Sequence, residues 1–454
     1  MSKLMGQDKG QERITEEDLA GYFQRFAKTR EFMRVGVECE FFGVRARDGK
    51  AIPFDGPSGI EAILKWLAQN FGYEEVLEES RVIALKREDI SVTLEPGGQV
   101  ELSGAPVWNV FEIEAQIQEF VHELRESRCR FPELEWLAVG IQPFSRADDI
   151  AWVPKKRYEI MREHFRERGP MSHHMMKTTA TNQVNFDYLS EENAMANLRV
   201  VYGITSIVSA LFANSGFSEG RPNGYATKRL EIWNHTDPDR TGLLLRFLEP
   251  GATFQDYIEY LLKMPMIFLV RDRRWIPSDG RSFRTFLAEG YQGFSATLAD
   301  FELHLSTAFP EARLKQYLEI RGVDCQSPHL MPAVAAFWKG ILYDPETSDK
   351  AWKLVADVPL KERIRVHQNI PREGLKGRIG VRTVFEVARE LVDLACASLA
   401  KQRTQTETRD ECRFLDRIRK TIIAEGKSPA ETMLEKWYAD LGEDPARLLE
   451  YLRI

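Results

Sequence analysis

Apolar residues recur along the chain at two spacings, and the switch between them marks out the elements. From Ser58 the positions Ile63, Leu64, Trp66 and Leu67 fall at helical spacing until Gly72, and Ser58 with Glu61 three residues on predicts a capping box at the start. Longer helical patterns cover roughly Pro106 to Glu126, Ser190 to Asn214 and Thr253 to Lys263. Near the beginning, Thr15 and Asp18 lead into the run L-A-G-Y-F-Q-R-F and predict a capped amphipathic helix.

Short segments rich in β-branched and aromatic residues stand between these helices, bounded by Gly, Pro or Asn. They are Met33 to Val44, Val82 to Leu85, Ile90 to Glu95, Gln99 to Ser103, Trp136 to Ile141, Thr179 to Tyr188 and Arg229 to Trp233. The run E-P-G-G-Q, Glu95 to Gln99, separates two of them and predicts an antiparallel hairpin with its glycines at positive φ. A hairpin does not fit a purely parallel βαβ scheme, so the expected class is α+β on a largely antiparallel sheet. Beyond about Glu311 the pattern is mainly helical, with a capping box at Ser428 and Glu431 and Pro429 at the first helical position. The expected organisation is a disordered tail over 1–14, an α+β core over 15–310 and a helical region over 311–454 packed on the same domain.

Several strands carry chemistry on one face. In V-G-V-E-C-E-F-F the period of two sends Val35, Val37, Cys39 and Phe41 one way and Glu38 and Glu40 the other. The hairpin repeats this, with Glu95 leaving its first strand and Gln99, Glu101 and Ser103 lining one face of the second. In T-A-T-N-Q-V-N-F-D-Y, Thr181, Gln183, Asn185 and Asp187 oppose Ala180, Val184, Phe186 and Tyr188, and in R-L-E-I-W Arg229 and Glu231 share a face. One polar strand face is ordinary in an antiparallel sheet and reads equally well as solvated. Four together, with no lysine beside Glu38, Glu40, Glu95 or Glu101 on the same strand face, point to a built surface.

Composition narrows the partners. With 43% hydrophobic residues in 454, the chain can bury a large core, and its net charge of -7 arises from interspersed residues of both signs. No basic footprint points to nucleic acid, no cationic block to a membrane surface, and no run of about 18 apolar residues to a membrane span. The polar stretch Met1 to Thr15 lacks the apolar core of a secretory signal, so the expected compartment is cytoplasmic. Cys39, Cys129, Cys325, Cys396 and Cys412 are odd in number with no C-x-x-C pair, which predicts reduced, mostly buried thiols and neither a disulfide framework nor a zinc knuckle. The neighbours His173 and His174 are expected on a loop or the surface.

Clustered carboxylates raise one another's pKa unless cations neutralise them, and hard oxygen ligands of that kind suit Mg²⁺, which commonly bridges protein carboxylates to substrate phosphates. Basic groups for those phosphates are available in V-P-K-K-R-Y, which holds Lys155, Lys156 and Arg157, and at Arg162, Arg229 and Arg240. There is no G-x-x-x-x-G-K-[ST] loop and no G-x-G-x-x-G after a strand, so a nucleotide site here has another architecture.

The stretches V-G-V-E-C-E-F-F-G, T-L-E-P-G-G-Q-V-E-L-S-G-A-P, M-M-K-T-T-A-T-N-Q-V-N-F-D, A-L-F-A-N-S-G-F-S-E-G-R-P-N-G-Y, I-W-N-H-T-D-P-D-R-T-G, F-P-E-A-R-L-K-Q-Y-L-E-I-R-G and A-A-F-W-K-G-I-L-Y-D carry a family likeness. In order along the chain, they resemble the glutamate-cysteine ligases of plant and proteobacterial type, within the glutamine synthetase-like carboxylate-amine ligases. The resemblance implies an antiparallel sheet curved into a funnel, flanked by helices. It implies Glu38, Glu40, Glu95 and Glu101 as magnesium ligands and Gln183 with Asn185 as a Q-x-N strand serving metal and substrate. Arg229 and Arg240 match arginines near the glutamate and phosphate groups, and Lys155, Arg157, Trp233 and Ile267 fall at substrate or ATP contacts. The implied reaction uses ATP to phosphorylate the γ-carboxylate of glutamate, and the amine of cysteine then displaces phosphate, the first step toward glutathione. Its partners are these small molecules, with no nucleic acid and no membrane.

The sequence departs from the family pattern in three respects. Pro265-Met266-Ile267-Phe268 stands where the family has P-M-Y-F, so a hydroxyl associated with the cysteine substrate is missing. Ala180, Ser278, Gln292 and Pro332 stand where plant relatives carry regulatory cysteines, and Glu231 is an added acid, either a further metal ligand or a surface charge. Cys39 is expected in the core, on the face opposite the acids. A γ-glutamyl ligase for another amine and a silent relative that only binds glutamate or nucleotide are the alternatives the residues leave open.

Overall fold

The computed structural model describes residues 12–402 and 409–454; residues 1–11, on which the tail and compartment expectations drew, lie outside the described residues. Ile14 is already buried, its N–H donating to the Ala296 carbonyl at 3.0 Å, so the chain is anchored ahead of residue 15.

Nine strands form the central sheet: β1 (Val35–Arg45), β2 (Glu74–Glu78), β3 (Arg81–Arg87), β4 (Ile90–Leu94), β5 (Val100–Ser103), β6 (Leu134–Leu137), β7 (Asn182–Phe186), β8 (Ala312–Leu314) and β9 (Leu318–Ile320). Their order is β8-β9-β7-β1-β5-β4-β3-β2, with β6 paired to the far end of β1, and every pairing is antiparallel. The fold is therefore α+β on an antiparallel sheet. The expected core boundary at residue 310 falls short of β8 and β9, which complete this sheet.

The helices that position the site are α1 (Ile60–Phe71), α2 (Val110–Arg130), α3 (Lys156–Arg166), α4 (Ser172–Thr178), α5 (Glu191–Leu211), α6 (Lys228–Asn234), α7 (Phe254–Lys263), α8 (Met331–Leu342), α9 (Leu360–Glu373), α10 (Val384–Lys401) and α11 (Cys412–Ile418). The apolar face of β1 is covered by α2 and α8, with Phe41 meeting Phe120 at 5.8 Å between ring centres. Val35, Val37, Cys39 and Phe41 are all fully buried there. Each such large side chain contributes about 1.5–3 kcal/mol, enough to fix which face of the strand looks outward. α5 is long and apolar enough to cross a membrane, but it is a core helix, 89% buried by the rest of the molecule.

Several expected elements differ in the structure. Arg229 to Trp233 is not a strand but the middle of α6, capped by Thr227, whose side chain accepts from Leu230 N–H. Arg229, Leu230 and Ile232 are the buried positions, a helical pattern, so Glu231 turns away from Arg229. At α1 the cap is Gly59; Glu61 instead accepts from Arg81 and from Val82 N–H, a long-range pairing that outcompetes a local box with Ser58. The Thr15–Asp18 box forms, but its helix stops after Leu19 and the chain continues as a 3-10 turn over Phe23–Phe26. His173 and His174 lie in α4 and not on a loop, His174 at the surface as expected and His173 half-buried. The thiols are not all free: Cys396 of α10 is disulfide-bonded to Cys412 of α11, while Cys39 and Cys325 are buried free thiols and Cys129 is exposed.

One buried imidazole gives the fold a pH dependence. His304 is 2% exposed, stacks on Phe283 at 4.9 Å and bonds the Leu261 carbonyl at 2.9 Å. Burial pushes it down to about 3. The unfolded chain takes up a proton near pH 6.5 that the folded chain refuses until about pH 3, so stability is intact above 6.5 and falls on acidification, by up to about 1.4 kcal/mol per pH unit. Urea titrations should show the unfolding midpoint dropping between about pH 7 and pH 5, with a shallower drop in His304→Gln.

Candidate active site

The outward face of the sheet is built by register. Glu40 of β1 lies opposite Glu101 of β5, which lies opposite Thr93 of β4; Glu38 is flanked by Ser103 on one side and Gln183 on the other. Continuing outward, Asn185 of β7 faces Glu319 of β9, which faces Arg313 of β8. One row of alternating strand positions thus carries acids at one end and cations at the other.

Neutral donors hold the acids in place. Thr93 Oγ1 and Ser103 Oγ donate to Glu101 Oε1 at 2.8 and 3.2 Å, Thr181 N–H to Glu40 Oε2 at 3.0 Å, and Asn185 Nδ2 to Glu38 Oε1 at 3.2 Å. Glu95 sits at the turn, where its N–H donates to Gln99 O and its carbonyl accepts from Gly98 N–H, both at 2.9 Å. Gly98 supplies the positive φ of 87°; Gly97 instead serves close approach, since a Cβ there would lie 2.4 Å from the Lys177 carbonyl oxygen. Glu38, Glu40 and Glu101 are 6–8% exposed, and among the described residues none of the four acids forms an ion pair.

That arrangement is costly for the charged forms. Burial first, then Glu95 and Glu101, raises the Glu40 carboxyl well above its usual range; burial together with Glu38 and Glu95 pushes Glu101 up to about 7. Burial raises Glu95 too, against the pull of Lys155, Arg157 and Arg321. Lys155 is itself brought down to about 8 by burial, its Nζ donating to the Leu94 carbonyl at 2.9 Å. Among the described residues no three His, Cys, Asp or Glu side chains converge on one point, so a cation at this face needs further oxygens from a bound molecule.

A model of the glutamate-cysteine ligase family 2 matches residues 34–448. This chain belongs to that family. It is 35% identical to the chloroplastic glutamate-cysteine ligase of Solanum lycopersicum over 97% of its own length and 83% of the relative's, and 36% identical to glutamate-cysteine ligase B of Oryza sativa subsp. japonica over 94% and 85%. Its fold is similar to the crystal structure of glutamate-cysteine ligase from Francisella tularensis in complex with AMP, with TM-score 0.58 and 12% identity over 92% of this chain and 87% of that one.

In this member of the family the cationic end of the row is the part that sequence reasoning left unassigned. Glu319, wholly buried, accepts from Arg313 Nε and Lys315 Nζ at 2.7 Å and from Arg321 Nη1 at 2.9 Å. Burial would raise its carboxyl, but the three cations hold it well below the usual range. Arg321 Nη1 also donates to Gln183 Oε1 at 2.5 Å, joining the cations to the acid row. The signal was present in F-P-E-A-R-L-K-Q-Y-L-E-I-R-G, where Arg313, Lys315, Glu319 and Arg321 keep even spacing, the period of one strand face.

The other expected residues divide. Arg229 is buried beside the acids and feels Asp324 and Glu40; its Nη2 donates to the Arg321 carbonyl at 3.0 Å, and its Nε has no partner among the described residues. Trp233 lies 5.6 Å under that guanidinium, and its Nε1 is likewise buried without a partner among the described residues. Arg157 reaches the Ser306 carbonyl at 3.3 Å over the Phe268 ring. Arg240 is fully committed elsewhere, to Asp237 at 2.9 Å, Thr307 at 3.3 Å and the Pro265 carbonyl, so it positions the segment carrying buried Ile267 instead of facing the row. Lys156 is exposed and pairs with Glu159, and Glu231 lies with His235 in a separate 610 Å³ cavity between α6 and α9.

Proposed function

We propose that the acid end of this row takes the phosphates of ATP through Mg²⁺, and that the chain joins the γ-carboxylate of L-glutamate to the α-amine of L-cysteine. The observation that carries this reading is the set of four acids without an ion pair, Glu38, Glu40, Glu95 and Glu101, in the same row as the buried cations around Glu319. The donor set fits magnesium: hard carboxylate oxygens with Gln183 nearby, too few on any one point to enclose an ion, as suits a metal that keeps phosphate oxygens and water in its shell. Bound there, the metal would neutralise phosphate charge and orient the γ-phosphoryl group.

The chain's own groups serve positioning and charge. In the first step a γ-carboxylate oxygen of glutamate bonds to the γ-phosphorus of ATP and ADP leaves; in the second the neutral amine nitrogen bonds to the acyl carbon and phosphate leaves. Arg313, Lys315 and Arg321 present fixed positive charge to the transferring phosphoryl group, already oriented by Glu319. Arg229 Nε and Trp233 Nε1 are donors without acceptors, the pair expected to receive a substrate carboxylate. No protein nucleophile is required. Ile267 is buried and carries no hydroxyl, so at this position the thiol of cysteine would gain no side-chain hydrogen bond.

Purified protein with ATP, Mg²⁺ and glutamate should release phosphate only when an amine is added, fastest with cysteine and more slowly with 2-aminobutyrate. A better amine elsewhere in an amino-acid panel would displace cysteine from the reading; ATP binding with no release for any amine would overturn it.

A further inference from the structure

Outside the acid row, a 410 Å³ cavity opens between α3, α4 and the loop before α3. Lys177, 6% exposed, lines it, and its side chain makes no hydrogen bond or ion pair among the described residues; its Nζ lies 4.9 Å from the centre of the Trp152 ring. The Arg162 guanidinium lies 5.2 Å from the same ring, and His173 meets it edge-on at 5.3 Å. His174 also lines the cavity, and Asp148 is the one acid that does. The Lys177 ammonium lines the cavity beside the Arg162 guanidinium with no acceptor among the described residues, a pair of cations that an anion in the cavity would bridge. Burial lowers the Lys177 ammonium, Asp148 and then Asp149 pulling against this and Arg162 adding to it.

We propose that this cavity is a binding site for a compact anion, a phosphate or carboxylate group, held by Lys177 and Arg162 with His174 as a further donor, while His173 gives its Nε2 proton to the Arg162 carbonyl at 2.9 Å. Trp152 forms its floor, where its ring fixes both cations by cation–π contact. The site abuts the catalytic face without sharing its residues, because the Lys177 backbone packs against Gly97 of the turn that carries Glu95. The inference does not depend on the metal and nucleotide reading.

The test uses the full chain without nucleotide or divalent metal, titrated with inorganic phosphate and separately with L-glutamate, and followed by calorimetry and thermal unfolding. Phosphate should bind and raise the unfolding midpoint in the wild type and in Glu38→Gln, whose acid row is altered. Lys177→Met and Arg162→Met should each weaken binding about tenfold or more. Lys177→Met should fold at least as stably as the wild type, since an apolar chain of similar length replaces an unpaired charge. Binding of glutamate with the same dependence would identify the anion as a carboxylate. No binding of either probe, or binding that survives both substitutions unchanged, would overturn the proposal.

Discussion

Replacing Glu38 by Gln should lower turnover by roughly 10²–10³-fold or more, the loss typical when a preorganised electrostatic group is removed from a charge-neutralising site, while leaving a cooperative fold no less stable than the wild type. Glu38 sits at the centre of the row, between Ser103 and Gln183, and its carboxylate has only the Asn185 amide as a recorded partner. It is also one of the charges that push Glu101 upward. Removing its charge relieves repulsion within the metal-free protein and costs only the charge-assisted part of the Asn185 bond, which a Gln oxygen can still accept, so stability and activity move in opposite directions. A residue that merely held the sheet together would lose both. Steady-state phosphate release and denaturant unfolding on the same preparation distinguish these outcomes, and near-wild-type turnover would remove Glu38 from the site.

Glu319→Gln should have the largest effect on stability, a loss of about 3–5 kcal/mol, because breaking a buried charge network by deleting its one acid leaves the cations uncompensated. Arg313, Lys315 and Arg321 all converge on this wholly buried carboxylate. Arg321 also holds Gln183, so the substitution should loosen the row on the metal side and depress activity beyond the stability loss. Urea unfolding gives the first quantity. A change within about 1 kcal/mol of the wild type would mean that Glu38 and its neighbours, not Glu319, neutralise these cations.

Much of the acid face was legible because β1 alternates from Val35 to Phe41, and burial of Val35, Val37, Cys39 and Phe41 leaves Glu38 and Glu40 no other direction. Gln183 and Asn185 could be read in the same way. Which acid stands beside which could not, since cross-strand register is settled by pairings such as Glu40 with Glu101 across sixty residues of chain. Arg229 to Trp233 was misread because five residues span little more than one helical turn, too short for the two periods to separate without the Thr227 cap. The cations in and beside β8 and β9, Arg313, Lys315 and Arg321, went unassigned for a related reason: strands of three residues carry almost no pattern. The Cys396–Cys412 pairing depends on how α10 meets α11, which cysteine spacing alone does not disclose.

The most direct test of the acid row as the metal-nucleotide end is Mn²⁺ binding, followed by electron paramagnetic resonance, in the presence and absence of ATP. Wild-type protein should bind Mn²⁺ weakly alone and much more tightly with ATP, because phosphate oxygens complete a shell that the carboxylates only begin. In the double variant Glu38→Gln, Glu101→Gln that ATP-dependent binding should disappear while unfolding stays cooperative. Unchanged Mn²⁺ affinity in the double variant, with ATP present, would contradict the assignment of these acids to the metal.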